Sequence, residues 1–107
     1  MTTFDEREHA YEAKFAHDAE LRFRAKARRD KAIGVWAAAQ LGLSGTAAED
    51  YAKEILRSDL NQPDDASLVH KLLGDFRAKG VALEEPALKK KLVELLLQAA
   101  ADIEAGN

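Results

Sequence analysis

The sequence predicts an all-α protein, a four-helix bundle preceded by a mobile, partly helical N-terminal arm. Three observations lead there. Alanine, leucine, lysine, glutamate and arginine dominate while β-branched residues are few, a balance that favours helix. No run shows the period-two alternation of a half-buried strand. Glycine, proline and clustered aspartate recur at intervals that divide the chain into helix-sized lengths.

The arm, residues 1-19, comes first. It is crowded with charge yet holds Phe4, Tyr11 and Phe15. At about 100° per residue these three rings fall within roughly 40° of one another on a helix. Thr3 and Glu6 have capping-box spacing, and Asp5, Glu6 and Glu8 would sit at the positive end of the helix dipole. A helix of about 14 residues is marginal alone in water. The arm is therefore expected to fluctuate and to become ordered on a partner. The competing expectation is that its aromatic seam packs back along the bundle as ordinary core.

The bundle, residues 20-107, follows with helices at about 20-41, 47-60, 66-79 and 86-105. In the first, Leu21, Ala25, Ala32, Val35, Trp36 and Ala39 recur at helical spacing. Their face is rotated roughly 100° from the arm's seam, which places a boundary near residues 16 to 20. Gly42 and Gly45 end this helix. Thr46 is expected to cap the second, with Glu49 three residues on. Ala48, Tyr51, Ala52, Ile55, Leu56 and Leu60 form its apolar face. Asp64 or Asp65 is expected to cap the third, whose inward residues are Leu68, Val69, Leu72, Leu73 and Phe76, and Gly80 ends it. Pro86 suits the first turn of the fourth, lined by Leu88, Leu92, Leu95, Leu96, Ala99 and Ile103.

Composition excludes several classes of function. The chain has 107 residues, enough for one modest core. It has no cysteine, hence no disulfide framework, thiol catalysis or thiolate metal site. A net charge of −3 gives no overall attraction to nucleic acid or anionic lipid. No signal peptide is evident, and LVELLLQAAA from Leu92 is too short to span a bilayer, which takes about 20 apolar residues.

Candidate chemistry is sparse. Glu6 and His9 have the Glu-x-x-His spacing of di-metal bundles, but neither His17 nor His70 supplies the second pair that such a centre needs. Ser44, Ser58 and Ser67 stand at helix ends or loops and in no nucleophile elbow. Gly42 to Gly45 lacks the spacing and lysine of a phosphate loop. The basic stretch Arg22 to Lys31 could meet phosphates. However, Asp18 and Glu20 stand four residues ahead of Arg22 and Arg24, in good order for ion pairs along the helix. The alternative function is thus a small helical nucleic-acid-binding module built on residues 22-31. A second alternative has Trp36 stacking an adenine ring while Arg28 and Arg29 meet the phosphates, giving weak binding of ATP or ADP.

The run FDEREHAYEAKFAHDAELRFRAKARRDK, then GVWAAAQLG, TAAEDYAKEIL and HKLLGDF, resembles the ζ subunit family of α-proteobacterial F-type ATP synthases along essentially the whole chain. The resemblance implies a regulatory subunit, not an enzyme. Such a subunit blocks ATP hydrolysis by inserting its arm at a catalytic interface, as the mitochondrial ATPase inhibitor does, while the four-helix body anchors it. The implied partners are the α, β and γ subunits of the head, with no nucleic acid and no direct membrane contact. The implied location is cytoplasmic, peripheral at the inner membrane through the synthase. The free protein is expected to be a monomer, and no cofactor is required. Carried over by position, the partner-binding residues are Phe4, Arg7, Glu8, Tyr11, Lys14 and Phe15.

Overall fold

The protein, in its computed structural model, is built of five helices: α1 (Thr3–Phe15), α2 (Ala19–Gln40), α3 (Gly45–Asp59), α4 (Ala66–Ala78) and α5 (Glu85–Glu104). The structure describes residues 3–15, 18–60, 62 and 64–106, and the side chains of 3–5 and 14 fall outside that description. There is no strand among the described residues. Helices α2 to α5 make the four-helix bundle of the expected all-α fold. Helix α1 lies along α5 and touches α2.

Short polar side chains and glycines set the helix ends. Asp18 caps α2, its Oδ1 accepting the Leu21 N–H at 3.0 Å, and so satisfies one of the donors that a helix start leaves unpaired. The chain leaves α2 through Gly42 and α4 through Gly80, at φ of 77° and 72°, where a Cβ would be strained. Asp64 accepts the Ala66 N–H at 2.9 Å ahead of α4. Pro86 occupies the first turn of α5. The expected Thr46 cap is not formed. Helix α3 starts earlier, with Ser44 in the cap position and no side-chain capping bond.

All five predicted inward residues of α4 are buried. With Ile33, Ala37 and Leu41 of α2, Ile55 of α3, and Leu88 and Leu92 of α5, they form one core cluster. The expected face of α2 needs correction. Val35 is 56 % exposed, and the buried line runs through Ala25, Arg29, Asp30, Ile33, Gly34, Ala37 and Ala38. Gly34 explains part of the shift. A Cβ there would lie 2.8 Å from the Ala52 Cα, so α2 and α3 cross with their backbones almost touching. Trp36 flanks this core, edge-on to Phe76 at 6.0 Å, with the Lys91 ammonium 5.7 Å from its ring. Lys91 thus covers apolar surface with its stem, as a snorkelling lysine does.

A second apolar group lies outside that cluster. Phe15 of α1 is 1 % exposed, and Leu97 and Ala100 of α5 are nearly as buried. Covering a phenylalanine ring is worth about 2–3 kcal/mol, so among the described residues this contact is the main apolar tie between α1 and the body.

Candidate functional site

The seat of α1 is built from few residues. Tyr11 and Phe15, one helical turn apart, stack with centroids 5.0 Å apart and planes 17° from parallel. Phe15 is fully covered and Tyr11 half-buried. Between them and Leu97, Ala100 and Ala101 of α5 a gap of about 150 Å³ remains, with Arg7 at its edge. The fit is therefore loose beside the ring pair. Burial raises the pKa of the Tyr11 phenol, and the nearby guanidiniums of Arg29 and Arg22 act against that shift.

The expectation that these rings stand free of the body is corrected for Phe15, which is turned inward onto α5. The offset between the arm's seam and the face of α2 would matter only for one straight helix. Helix α1 ends at Phe15 and α2 begins after Asp18, so the two can point their faces independently. Of the other expected partner residues, Arg7 is exposed and Glu8 half-buried. The side chains of Phe4 and Lys14 lie outside the described residues.

Of the candidate nucleotide contacts Arg28, Arg29 and Trp36, Arg29 alone lines the groove between α4 and α5. Arg29 is 3 % exposed and fully engaged. Its Nη2 donates to Asp30 Oδ1 at 2.7 Å and to Asp59 Oδ2 at 3.1 Å, while Nη1 meets Asp65 Oδ2 at 2.9 Å. Burial works against its charge, but the bond to Asp65 and the Asp30 carboxylate prevail and hold it cationic. Arg28 is half-buried and engaged in its own contacts. Trp36 leans on Phe76. The basic stretch is also partly spent within the fold, since Lys26 donates to the Gln62 carbonyl at 2.8 Å and lies 3.7 Å from Asp59. A cation used internally is not available to neutralise phosphate.

A larger groove of about 700 Å³ runs between α4 and α5, with Val69, Leu73, Leu92 and Leu96 as its floor and His70, Arg77 and Lys89 on its rim. Lys89 is paired with Glu85 at 3.6 Å. Among the described residues, no set of histidine, aspartate and glutamate could hold a metal ion. Nor is any helix long and apolar enough to cross a membrane.

Sequence reasoning missed three features of this region. The Arg29–Asp30 pair read as part of a solvated basic face, Gly34 carried no motif, and Leu97 and Ala100 were not singled out on α5. The last pair could have been found by asking which α5 residues remain for a second apolar stripe.

The fold is thus a helical body with an aromatic helix, α1, stowed on α5. The family model for ATPase inhibitor subunit zeta matches residues 1–102, and the chain belongs to that family. No curated protein matches the chain. Membership gives the chain a regulatory role, inhibition of an ATPase, with the ATP synthase as partner.

Proposed function

We propose that this chain inhibits ATP hydrolysis by lifting α1 from α5 and inserting it at an interface between catalytic-head subunits of the F-type ATP synthase. Residues 1-19 act as the inhibitory arm and residues 20-107 as the anchor. The observation that carries this reading is the seat of Phe15. A fully covered ring, stacked on Tyr11, belongs to a helix tied to the body mainly through a small apolar group outside the core. Such a ring can exchange one apolar surface for another at little net desolvation cost, whereas removing Phe76 or Ile55 would dismantle the body.

In the inserted state Phe4, Tyr11 and Phe15 fill apolar grooves, in the manner of aromatic anchors. Arg7, Glu8 and Lys14 set register and orientation through charge. The α, β and γ subunits of the head are the contact partners, and no cofactor takes part. The protein then resides at the inner membrane only through the synthase, on its cytoplasmic side. Helix release sets an upper limit on affinity, because the apparent dissociation constant rises as the released fraction falls.

Deleting Met1 to Ala19 tests the division of labour. The remainder should stay helical and folded, since the core cluster takes no described residue from α1, and it should lose inhibition of the head. Inhibition by the truncated chain equal to that of the full chain would overturn the assignment of the arm.

A further inference from the structure

Two buried carboxylates in the body are left half-partnered. Asp30 on α2 and Asp59 on α3 are 0 % and 1 % exposed. Each offers one oxygen to Arg29 Nη2, at 2.7 and 3.1 Å. The other oxygen of each, Asp30 Oδ2 and Asp59 Oδ1, is buried with no donor. Two ionised carboxylates so placed would each carry a buried acceptor without a partner, an expensive arrangement.

The surrounding charges point to the remedy. Facing the pair are Lys26 and Arg29 of α2 and Asp65 from the turn ahead of α4. Helix α1 contributes the phenol of Tyr11, which feels both Arg29 and Asp65. Three carboxyl groups thus meet two cations, and a single proton makes the cluster neutral. That proton also turns one acceptor into a donor. The O–H of one carboxyl can then be donated to the other, since Asp59 is a hydrogen-bond partner of Asp30.

We propose that Asp30 and Asp59 share one proton across the α2–α3 crossing, and that its loss weakens the hold of Arg29 on Asp65 and the start of α4. Burial first, then the hydrogen bond with Asp59, pushes the Asp30 carboxyl up to about 7 despite the opposing Arg29 charge. Because the folded state keeps a proton that the unfolded chain releases from the ordinary carboxylate range upward, the stabilisation is complete at acid pH. It declines as pH rises toward 7 and is gone above it. Once both inner carboxylates are charged, they draw the guanidinium inward. Asp65, with its side chain 46 % exposed, has water as an alternative partner and is the contact that yields. The body would then tighten or loosen the entry to α4 with pH near neutrality.

The test is a carboxyl-carbon NMR titration of the full chain from pH 4 to 9, together with amide exchange in Asp65 and the first turn of α4. The expected result is a step near 7 at the Asp30 signal. Exchange at Asp65–Val69, corrected for its intrinsic pH dependence, should rise about tenfold across that step, the size of one lost charge-assisted bond. Asp59→Asn should move the Asp30 step well below 7, and either Asp30→Asn or Asp59→Asn should flatten the exchange profile. An Asp30 carboxyl ionised by pH 5 in the wild-type chain would overturn the proposal, and this measurement needs no variant to fold. So would an Asp30 step near 7 that persists in Asp59→Asn, or one that leaves exchange at Asp65–Val69 unchanged.

Discussion

Replacing Phe15 by alanine should free α1 from α5 while α2 to α5 stay folded. Truncating a buried phenylalanine costs about 3–5 kcal/mol. Phe15 sits at the last residue of α1, beside a gap that can close, so the lower end of that range applies. A loss of about 3 kcal/mol moves the docked-to-released ratio by roughly a hundredfold. The ring stack with Tyr11, worth about 0.5–1.5 kcal/mol, disappears with it. Hydrogen exchange read by mass spectrometry is the assay. Peptides covering Glu6 to Ala13 should lose protection by about two orders of magnitude, and those from α4 and α5 should not change. Phe76→Ala is the control, because its ring is fully buried in the main core. It should lower the melting temperature of the whole body by roughly 10 °C or more. Equal loss of protection in α1 and α5 after Phe15→Ala, with a comparable fall in melting temperature, would refute the reasoning. Helix α1 would then be part of one cooperative core.

Three further outcomes are expected. Gly34→Ala should lower the melting temperature by about 5 °C or more, read by circular dichroism. Overpacking against the Ala52 backbone, at about 1–3 kcal/mol, outweighs the roughly 1 kcal/mol gained in helix propensity. Tyr51→Phe should cost about 1 kcal/mol in denaturant unfolding by removing the 2.7 Å bond to Asp75. The wild-type phenol, held up by burial and by Asp75, should ionise above the usual tyrosine range in an ultraviolet titration. Finally, the chain lacks cysteine, so Ala10→Cys with Ala101→Cys allows a short cross-link across the gap between α1 and α5. The locked protein should not inhibit ATP hydrolysis, and an analogue with a cleavable link should regain inhibition when cut.

Much of the body was legible because local chemistry and tertiary packing agree there. Helix α4 is the clearest case, with Leu68, Val69, Leu72, Leu73 and Phe76 at helical spacing between Asp64 and Gly80, and all five buried. Helix α2 was harder. Its inner face is drawn by small and charged residues, Ala25, Arg29, Asp30, Gly34, Ala37 and Ala38, which a hydrophobicity pattern does not select. Arg29 and Asp30 read as surface until Asp59 and Asp65, some 30 residues away in sequence, supply their partners. Close approach at Gly34 depends on Ala52 from another helix, so no local signal marks it. The arm's seam was visible as Tyr11 and Phe15. Its seat on Leu97 and Ala100 was not, because α1 ends at Phe15 and α2 begins at Ala19, so helical phase does not carry from one to the other.

The stowed helix rests on the last two turns of α5, between Leu97 and Glu104, which brings α1 against the final helix of the chain. An affinity tag or fused protein added beyond Glu104 would crowd the berth of α1 and bias it outward. The same addition ahead of Thr3 would burden the segment proposed to enter the enzyme. Potency measured with tags on opposite ends should therefore differ, and an untagged preparation is the proper baseline for comparing inhibitors of this kind.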